Sequence, residues 1–192
     1  MGINNQDTYK ISSASGSYRD NLADGIFAHS ETSQGNGADT TDDVLFTAKV
    51  PAYMLQNPGS SVLAEAWGDT AANGNNKQIK VWVGTDVQTL GAAIVSGATT
   101  LIASSGTVTT NNGGWKAEAE VVSYGNVNAN TQRAFGSVLS GVTTGAVSSE
   151  KTVALTQTEN ADMYITVTGA SGTTGAANDV VGKLFRLSLK NA

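Results

Sequence analysis

The sequence predicts an all-β protein, and three observations lead to that prediction. Charged residues make up only 14% of the 192 residues, which is not the composition of a disordered chain or a coiled coil. Glycine (22 residues), threonine (23) and asparagine (16) are abundant, and these residues suit turns and pleated strands. Short segments of alternating apolar and polar residues recur between turn residues, which is typical of antiparallel sandwiches and barrels.

The first three predicted strands are separated by turn residues. The run 43–50 alternates and ends at Pro51, whose nitrogen cannot donate to a sheet ladder. Strand 61–68 follows, and the linker after it contains Asn73-Gly74, a strong hairpin signal. The third strand, 78–84, has two distinct faces. One face carries Ile79, Val81 and Val83, and the other carries Lys80 and Trp82.

Six more strand signals continue to the C-terminus. The clearest alternation, 115–121, predicts Trp115, Ala117, Ala119 and Val121 facing inward and Lys116, Glu118 and Glu120 facing outward. The other five segments are 99–104, 133–139, 152–156, 163–168 and 180–189. Eight or nine strands without a helix longer than a turn or two fit two packed antiparallel sheets. We predict a jelly-roll β-sandwich of about eight strands.

Residues 1–43 differ from the rest of the chain, and we interpret them as an extended acidic arm before a jelly-roll domain at 44–192. They carry seven acids and two bases, whereas the remaining residues carry nine of each. Tyr9, Tyr18 and Phe27 recur in this polar segment, and such isolated rings can anchor in pockets elsewhere. A frayed terminus with incidental aromatic residues is the alternative.

The chain resembles virion proteins of tailed bacteriophages. In their pattern, a strand ending here in Val50-Pro51-Ala52 leads to a hairpin, here Ala71-Ala72-Asn73-Gly74. The strand 115–122 and the segment Ala177-Asn178-Asp179-Val180-Val181 belong to the pattern as well. The resemblance covers about residues 44–189. It implies a jelly-roll subunit, usually trimeric, on the outside of a phage particle, as in capsid decoration (cement) proteins, head fibres and domains of tail fibres.

No catalytic or cofactor motif stands out, so we predict a protein that is not an enzyme and that uses no cofactor or metal. The absence of cysteine excludes disulfides, thiolate metal sites and a cysteine nucleophile. The single histidine, His29, is better explained as a solvated loop residue than as the base of a catalytic triad. Gly35-Asn36-Gly37 lacks the third glycine of a dinucleotide fingerprint and predicts a turn.

Two groups of carboxylates also have simple structural explanations. The segment Asp39–Asp43 lacks the ligand order of an EF-hand, and Asp and Thr side chains are typical of caps and turns. Glu118 and Glu120 could form a glycosidase pair, but Lys116 lies on the same predicted face. A solvated, charged sheet face explains these three residues better.

The expected partners are proteins. A net charge of −5 and scattered bases argue against nucleic acid. No apolar run approaches the about 18 residues of a membrane span, and the N-terminus lacks the features of a secretory signal. Trp67 and Trp82 flank the predicted hairpin. Trp82, opposite the apolar face of its strand, is expected at a subunit interface, beneath the arm or a covering loop, or against a ligand.

These observations lead to one functional hypothesis and one alternative. We expect a homotrimeric capsid decoration subunit, made in the bacterial cytoplasm, that binds the major capsid protein on the outer surface of the phage head and stabilises the shell. The arm would reach along the shell or to a neighbouring subunit. The alternative is an adhesin, a head or tail fibre domain that binds a host glycan. The interface candidates are Tyr9, Tyr18, Phe27, Trp67 and Trp82.

Overall fold

The computed structural model of the chain describes residues 26–109, 113–126, 129–140, 147–148, 151–172 and 175–190. Within these residues the chain forms twelve strands joined by turns and loops, and it contains no helix long and apolar enough to cross a membrane. The strands are β1 (Ile26–Ser30), β2 (Gln34–Gly35), β3 (Asp43–Val50), β4 (Ser61–Thr70), β5 (Lys77–Gly84), β6 (Thr99–Ser104), β7 (Gly114–Ser123), β8 (Gln132–Ser140), β9 (Val147–Ser148), β10 (Lys151–Leu155), β11 (Met163–Ser171) and β12 (Val180–Lys190).

The strands form two antiparallel sheets, which confirms the predicted all-β fold. The larger sheet has the order β1-β12-β4-β7-β8-β10, with β2 also beside β12 and β9 beside β8. The smaller sheet has the order β3-β11-β5-β6. The two sheets pack face to face, so residues on their inner faces form a single core.

The strand pairing is that of a jelly roll. Strand β5 pairs with β6, β4 with β7, β3 with β11, and β1 with β12, so the chain follows the path of one long hairpin. These nested pairs lie alternately in the smaller and the larger sheet, and the pairs β5–β11 and β4–β12 join them within each sheet. Strands β8, β9 and β10 are an addition between β7 and β11 that extends the larger sheet.

The nine predicted strands are confirmed, and their ends differ from the prediction by at most three residues. The prediction lacks β1, β2 and β9. Two residues each are too few for β2 and β9 to display an alternation, and the sequence of β1, IFAHS, does not alternate. Both β1 and β2 pair with β12. Residues 26–43, the described part of the predicted arm, therefore contribute two strands to the larger sheet. Residues 1–25 lie outside the described residues.

The core lies between one face of small residues and one face of branched residues. On the larger sheet, five inward alanines are each at most 2% exposed: Ala64, Ala66, Ala117, Ala119 and Ala134. On the smaller sheet, five inward branched residues are each at most 1% exposed: Ile79, Val81, Val83, Ile165 and Val167. Phe46 and Phe185 stack across the sandwich with ring centroids 5.6 Å apart. The alanine face thus leaves space that the branched and aromatic side chains fill.

Gly136 on β8 lies where the two sheets approach each other closely. A Cβ atom at this position would lie 2.6 Å from Cγ2 of Ile102 and 2.9 Å from Cβ of Ala103, both on β6. Carbon atoms in contact are normally about 3.5–4.0 Å apart. Glycine is therefore required here by the distance between β8 and β6.

Replacing Gly136 by alanine should destabilise the protein, because the added methyl group must push β6 away from β8. We expect the free energy of unfolding, measured by urea denaturation, to fall by about 1–3 kcal/mol. The matched control is Ser137→Ala on the outer face of the same strand, with an expected change within about 0.5 kcal/mol. Equal unfolding midpoints for the two variants would contradict the close packing of the sheets at Gly136.

Candidate interaction surface

The outer face of the larger sheet holds Trp67 between two cations. Trp67 lies on β4 and is half-buried. Nζ of Lys116 is 5.5 Å and the guanidinium carbon of Arg186 is 5.1 Å from the centroid of its ring. Strand β7 supplies the lysine and β12 the arginine, because both strands pair with β4. The cation–π contacts fix the indole ring and the two cations relative to one another.

Glu65 is the centre of an ion-pair network around Trp67. It is 8% exposed, and its Oε2 accepts a hydrogen bond of 2.5 Å from Arg186 Nε. Its Oε1 is 3.6 Å from Lys116 Nζ, which also lies 2.5 Å from Oε1 of Glu118. The hydrogen bond from Arg186 lowers the pKa of Glu65 although burial raises it. The hydrogen bond to Glu118 raises the pKa of Lys116. Each of these shifts favours the charged form of the group, so the network holds Glu65 and Lys116 as ions at neutral pH.

Next to this network, β8 presents large apolar side chains to solvent. Phe135 is 48% exposed and Leu139 is 42% exposed. Among the described residues, the other large hydrophobic side chains with comparable exposure lie in turns and loops rather than in a strand. In the sheet register, Leu139 pairs with Lys116 and Phe135 with Glu120. We term Phe135, Leu139 and the Trp67 network the outer-sheet surface.

Phe135 and Leu139 were not among the residues predicted from the sequence, although a signal for them exists. In β8 the inward Ala134 and Val138 alternate with the outward Phe135 and Leu139, so both faces of the strand carry apolar side chains. A solvated face of an antiparallel sheet is normally polar. The outward Phe135 and Leu139 of β8 depart from this pattern.

Trp82 lies on the outer face of the smaller sheet, opposite Ile79, Val81 and Val83. It is half-buried, and its Nε1 donates a hydrogen bond of 3.0 Å to Oγ1 of Thr168. The loop 85–98 leaves β5, forms backbone hydrogen bonds with Val44 of β3, and returns to β6. Because β11 separates β5 from β3 and the core fills the inner side, this loop passes over the outer face. The environments predicted for Trp82 include a covering loop, and the structure places the loop 85–98 on the same side of the smaller sheet as this residue.

The structure does not bring the predicted interface residues together. Trp67 and Trp82 lie on the outer faces of different sheets. Phe27 is part of β1, at the edge of the larger sheet. Tyr9 and Tyr18 lie outside the described residues, so their predicted role stays a prediction.

The remaining polar groups singled out from the sequence have local partners. His29 lies in β1 and not in a loop, which corrects its predicted environment, and its Nε2 is 3.4 Å from Oε1 of Glu31. The Asp39 carboxylate accepts hydrogen bonds from the backbone and hydroxyl of Thr41, as in a turn. Glu120 accepts a hydrogen bond of 2.8 Å from Ser61. In the part of the chain that the structure describes, no three His, Asp or Glu side chains are arranged to hold a metal ion.

Comparison with protein-family models and with curated protein sequences finds no match to the chain. A solved structure of infectious bursal disease virus, Gx strain, aligns with 87% of this chain at 11% identity and a TM-score of 0.26. The aligned region covers 39% of that viral chain. A TM-score this low does not establish a common fold. The architecture therefore rests on the strand pairing described above.

Replacing Glu65 by glutamine should lower the free energy of unfolding at neutral pH. It should also make that free energy depend less on pH in the acidic range. The pKa of Glu65 is lower in the folded protein than the value of 4.5 expected for an unpaired glutamate. Its stabilising contribution is therefore present above pH 4.5 and is lost as the pH falls through the folded-state pKa. We expect the free energy of unfolding of Glu65→Gln to be about 1 kcal/mol lower at neutral pH.

The measurement is urea denaturation over a series of pH values from neutral to acidic. The difference between wild type and Glu65→Gln should shrink below pH 4.5. The matched control is Asp69→Asn, which removes an exposed carboxylate from the same strand. A difference between wild type and Glu65→Gln that stays constant with pH would contradict the assigned role of Arg186.

Proposed function

We propose that the protein is a structural subunit of a tailed-bacteriophage virion, a capsid decoration (cement) protein that binds the outer surface of the head. The outer-sheet surface carries this proposal, because exposed Phe135 and Leu139 adjoin the charged network of Glu65, Lys116 and Arg186. Protein–protein interfaces combine apolar contact area with such polar groups. Small-molecule sites are concave, whereas this surface is the outer face of a sheet.

Two further observations support a role in a viral particle. The nested strand pairing is that of the jelly roll, an architecture that occurs in viral capsid and lectin domains. The motifs that resemble phage virion proteins are also parts of this fold. The segment 71–74 lies in the loop between β4 and β5, which belong to different sheets, so it connects the two sheets and is not the predicted hairpin. The strand 115–122 is β7, which contributes Lys116 to the outer-sheet surface.

Stabilisation of the head would follow from mass action. A protein that binds the assembled shell and not its separate subunits lowers the free energy of the assembled state. Because Glu65, Lys116 and Arg186 are already paired in the free protein, less side-chain freedom would be lost on binding. We include a homotrimer in the proposal, since a closed cyclic trimer can occupy a local three-fold position of a shell.

The double variant Phe135→Ser and Leu139→Ser should fold normally and lose binding to the head. Both side chains are exposed, so removing them from the free protein leaves the core intact. The variant and the wild type are sedimented alone and with heads from which the protein has been stripped. We expect the wild type to sediment as a trimer and to bind the heads, and the variant to bind at least about ten-fold more weakly.

The matched control is Val87→Ser, which removes a 68% exposed apolar side chain from the loop 85–98 and should leave binding unchanged. Equal binding by the wild type and the double variant would contradict the role of the outer-sheet surface. A trimer that ignores heads but binds host cells or a glycan array would instead assign the protein to the host-glycan-binding adhesins. A monomer that binds neither heads nor glycans would contradict both assignments.

A further inference from the structure

A fully buried lysine lies at the end of the loop that joins β4 to β5. Lys77 is 0% exposed, and its Nζ is 2.8 Å from Oδ1 of Asn73. The same Nζ is 2.9 Å from the backbone oxygens of Asn73 and Asn75. Burying an ammonium group is unfavourable unless it is hydrogen-bonded, and here three oxygen acceptors surround Nζ within the loop. The outer-sheet surface does not include it.

The side chain of Asn73 lies between this lysine and a buried carboxylate. Nδ2 of Asn73 donates a hydrogen bond of 2.6 Å to Oδ1 of Asp179, which is 1% exposed. Nδ2 of Asn75 donates a hydrogen bond of 2.9 Å to Oδ2 of Asp179. The oxygen of the Asn73 amide therefore contacts an amine, and its nitrogen contacts a carboxylate.

The geometry brings the amine close to the carbon atom of the Asn73 amide. Oδ1 of Asn73 is 2.8 Å from Lys77 Nζ, and this oxygen is bonded directly to Cγ. With a C=O bond of about 1.23 Å, Nζ lies about 3–4 Å from Cγ. Reacting atoms in a near-attack arrangement are about 3–3.5 Å apart. A small movement of the lysine side chain would thus bring Nζ into position for attack.

The surroundings also favour the protonation states that the reaction needs. Burial lowers the pKa of Lys77, against the opposing effect of the Asp179 charge, so the neutral amine forms more readily than in an exposed lysine. Burial raises the pKa of Asp179, but hydrogen bonds from Asn73 and Asn75 outweigh this effect and hold the pKa below its usual value. Asp179 is therefore available as a carboxylate that can accept a proton.

We propose that Lys77 and Asn73 form an intramolecular isopeptide bond with release of ammonia. The neutral Nζ attacks Cγ of Asn73, and the electron pair of the C=O bond moves to Oδ1. Once Nζ is bonded to Cγ, it shares that carbon with Nδ2, to which Asp179 is hydrogen-bonded, so Asp179 can then accept a proton from Nζ and pass it to Nδ2. The C=O bond re-forms, the bond between Cγ and Nδ2 breaks, and Nδ2 leaves as ammonia. One C–N bond forms and one breaks, and Asp179 returns to its starting state.

The bond would give this chain a covalent link that it otherwise lacks, because its sequence contains no cysteine. It would close the loop between residues 73 and 77 at the point where that loop contacts Asp179 before β12. Attack by an amine on an amide held beside a proton carrier needs no oxidant and no other reactant.

The test is mass spectrometry of the purified, full-length wild-type protein after digestion with trypsin. An unmodified chain is cleaved after Lys49, Lys77 and Lys80. An isopeptide bond blocks cleavage after Lys77, so we expect one peptide, residues 50–80, that is lighter by the about 17 Da of ammonia. Fragment ions should place the link between Asn73 and Lys77. Asp179→Asn lacks the proton carrier and should give the unmodified peptides.

A second measurement separates the isopeptide bond from a succinimide, which Asn73 could form with the backbone nitrogen of Gly74 and which has the same mass. Hydroxylamine cleaves a succinimide and leaves an isopeptide bond intact. A wild-type peptide that ends at Lys77 with its full mass would overturn the proposal, and so would hydroxylamine cleavage between Asn73 and Gly74. Both outcomes are read from the wild-type protein and do not depend on whether Asp179→Asn folds.

Discussion

The close approach of the two sheets is the constraint on which the rest of the structure depends. The larger sheet turns Ala64, Ala66, Ala117, Ala119 and Ala134 inward, and Gly136 leaves no room for even a methyl group against Ile102. Because successive residues of a strand face opposite sides, each small inward residue places its neighbours on the outer face. Thus Ala66 packs in the core while Glu65 and Trp67 face outward. The alternation of side chains along each strand therefore determines both the packing of the core and the composition of the outer-sheet surface.

The outer-sheet surface also depends on the register of strands that are distant in sequence. Trp67, Lys116 and Arg186 belong to β4, β7 and β12, and only the pairing of β4 with both other strands brings them together. A slip of one residue in either pair would move the charged side chains into the core, so burial of the alanine face fixes the network as well. The apolar residues of β8 join this surface because β8 pairs with β7. Binding through this surface would therefore require the complete larger sheet.

The sequence predicts the local features of this protein well and the non-local ones less completely. Nine strands and the faces of 115–121 follow from alternation, which a single segment contains. The short strands β1 and β2 form because β12 offers partners, and their own residues carry too little signal. The burial of Lys77 is also non-local: a lysine after a turn looks solvated in sequence, but Asp179, 106 residues after Asn73, completes its surroundings. For the same reason Trp67 and Trp82, similar in sequence context, lie on opposite sides of the sandwich.

The proposed function requires that the outer face of the larger sheet contacts the phage head. The most direct measurement is an electron cryomicroscopy reconstruction of heads carrying the bound protein, at a resolution that separates the two sheets. We expect the strands β4, β7 and β8 to face the shell, with Phe135 and Leu139 at the contact. A bound protein whose smaller sheet and loop 85–98 face the shell would contradict this expectation.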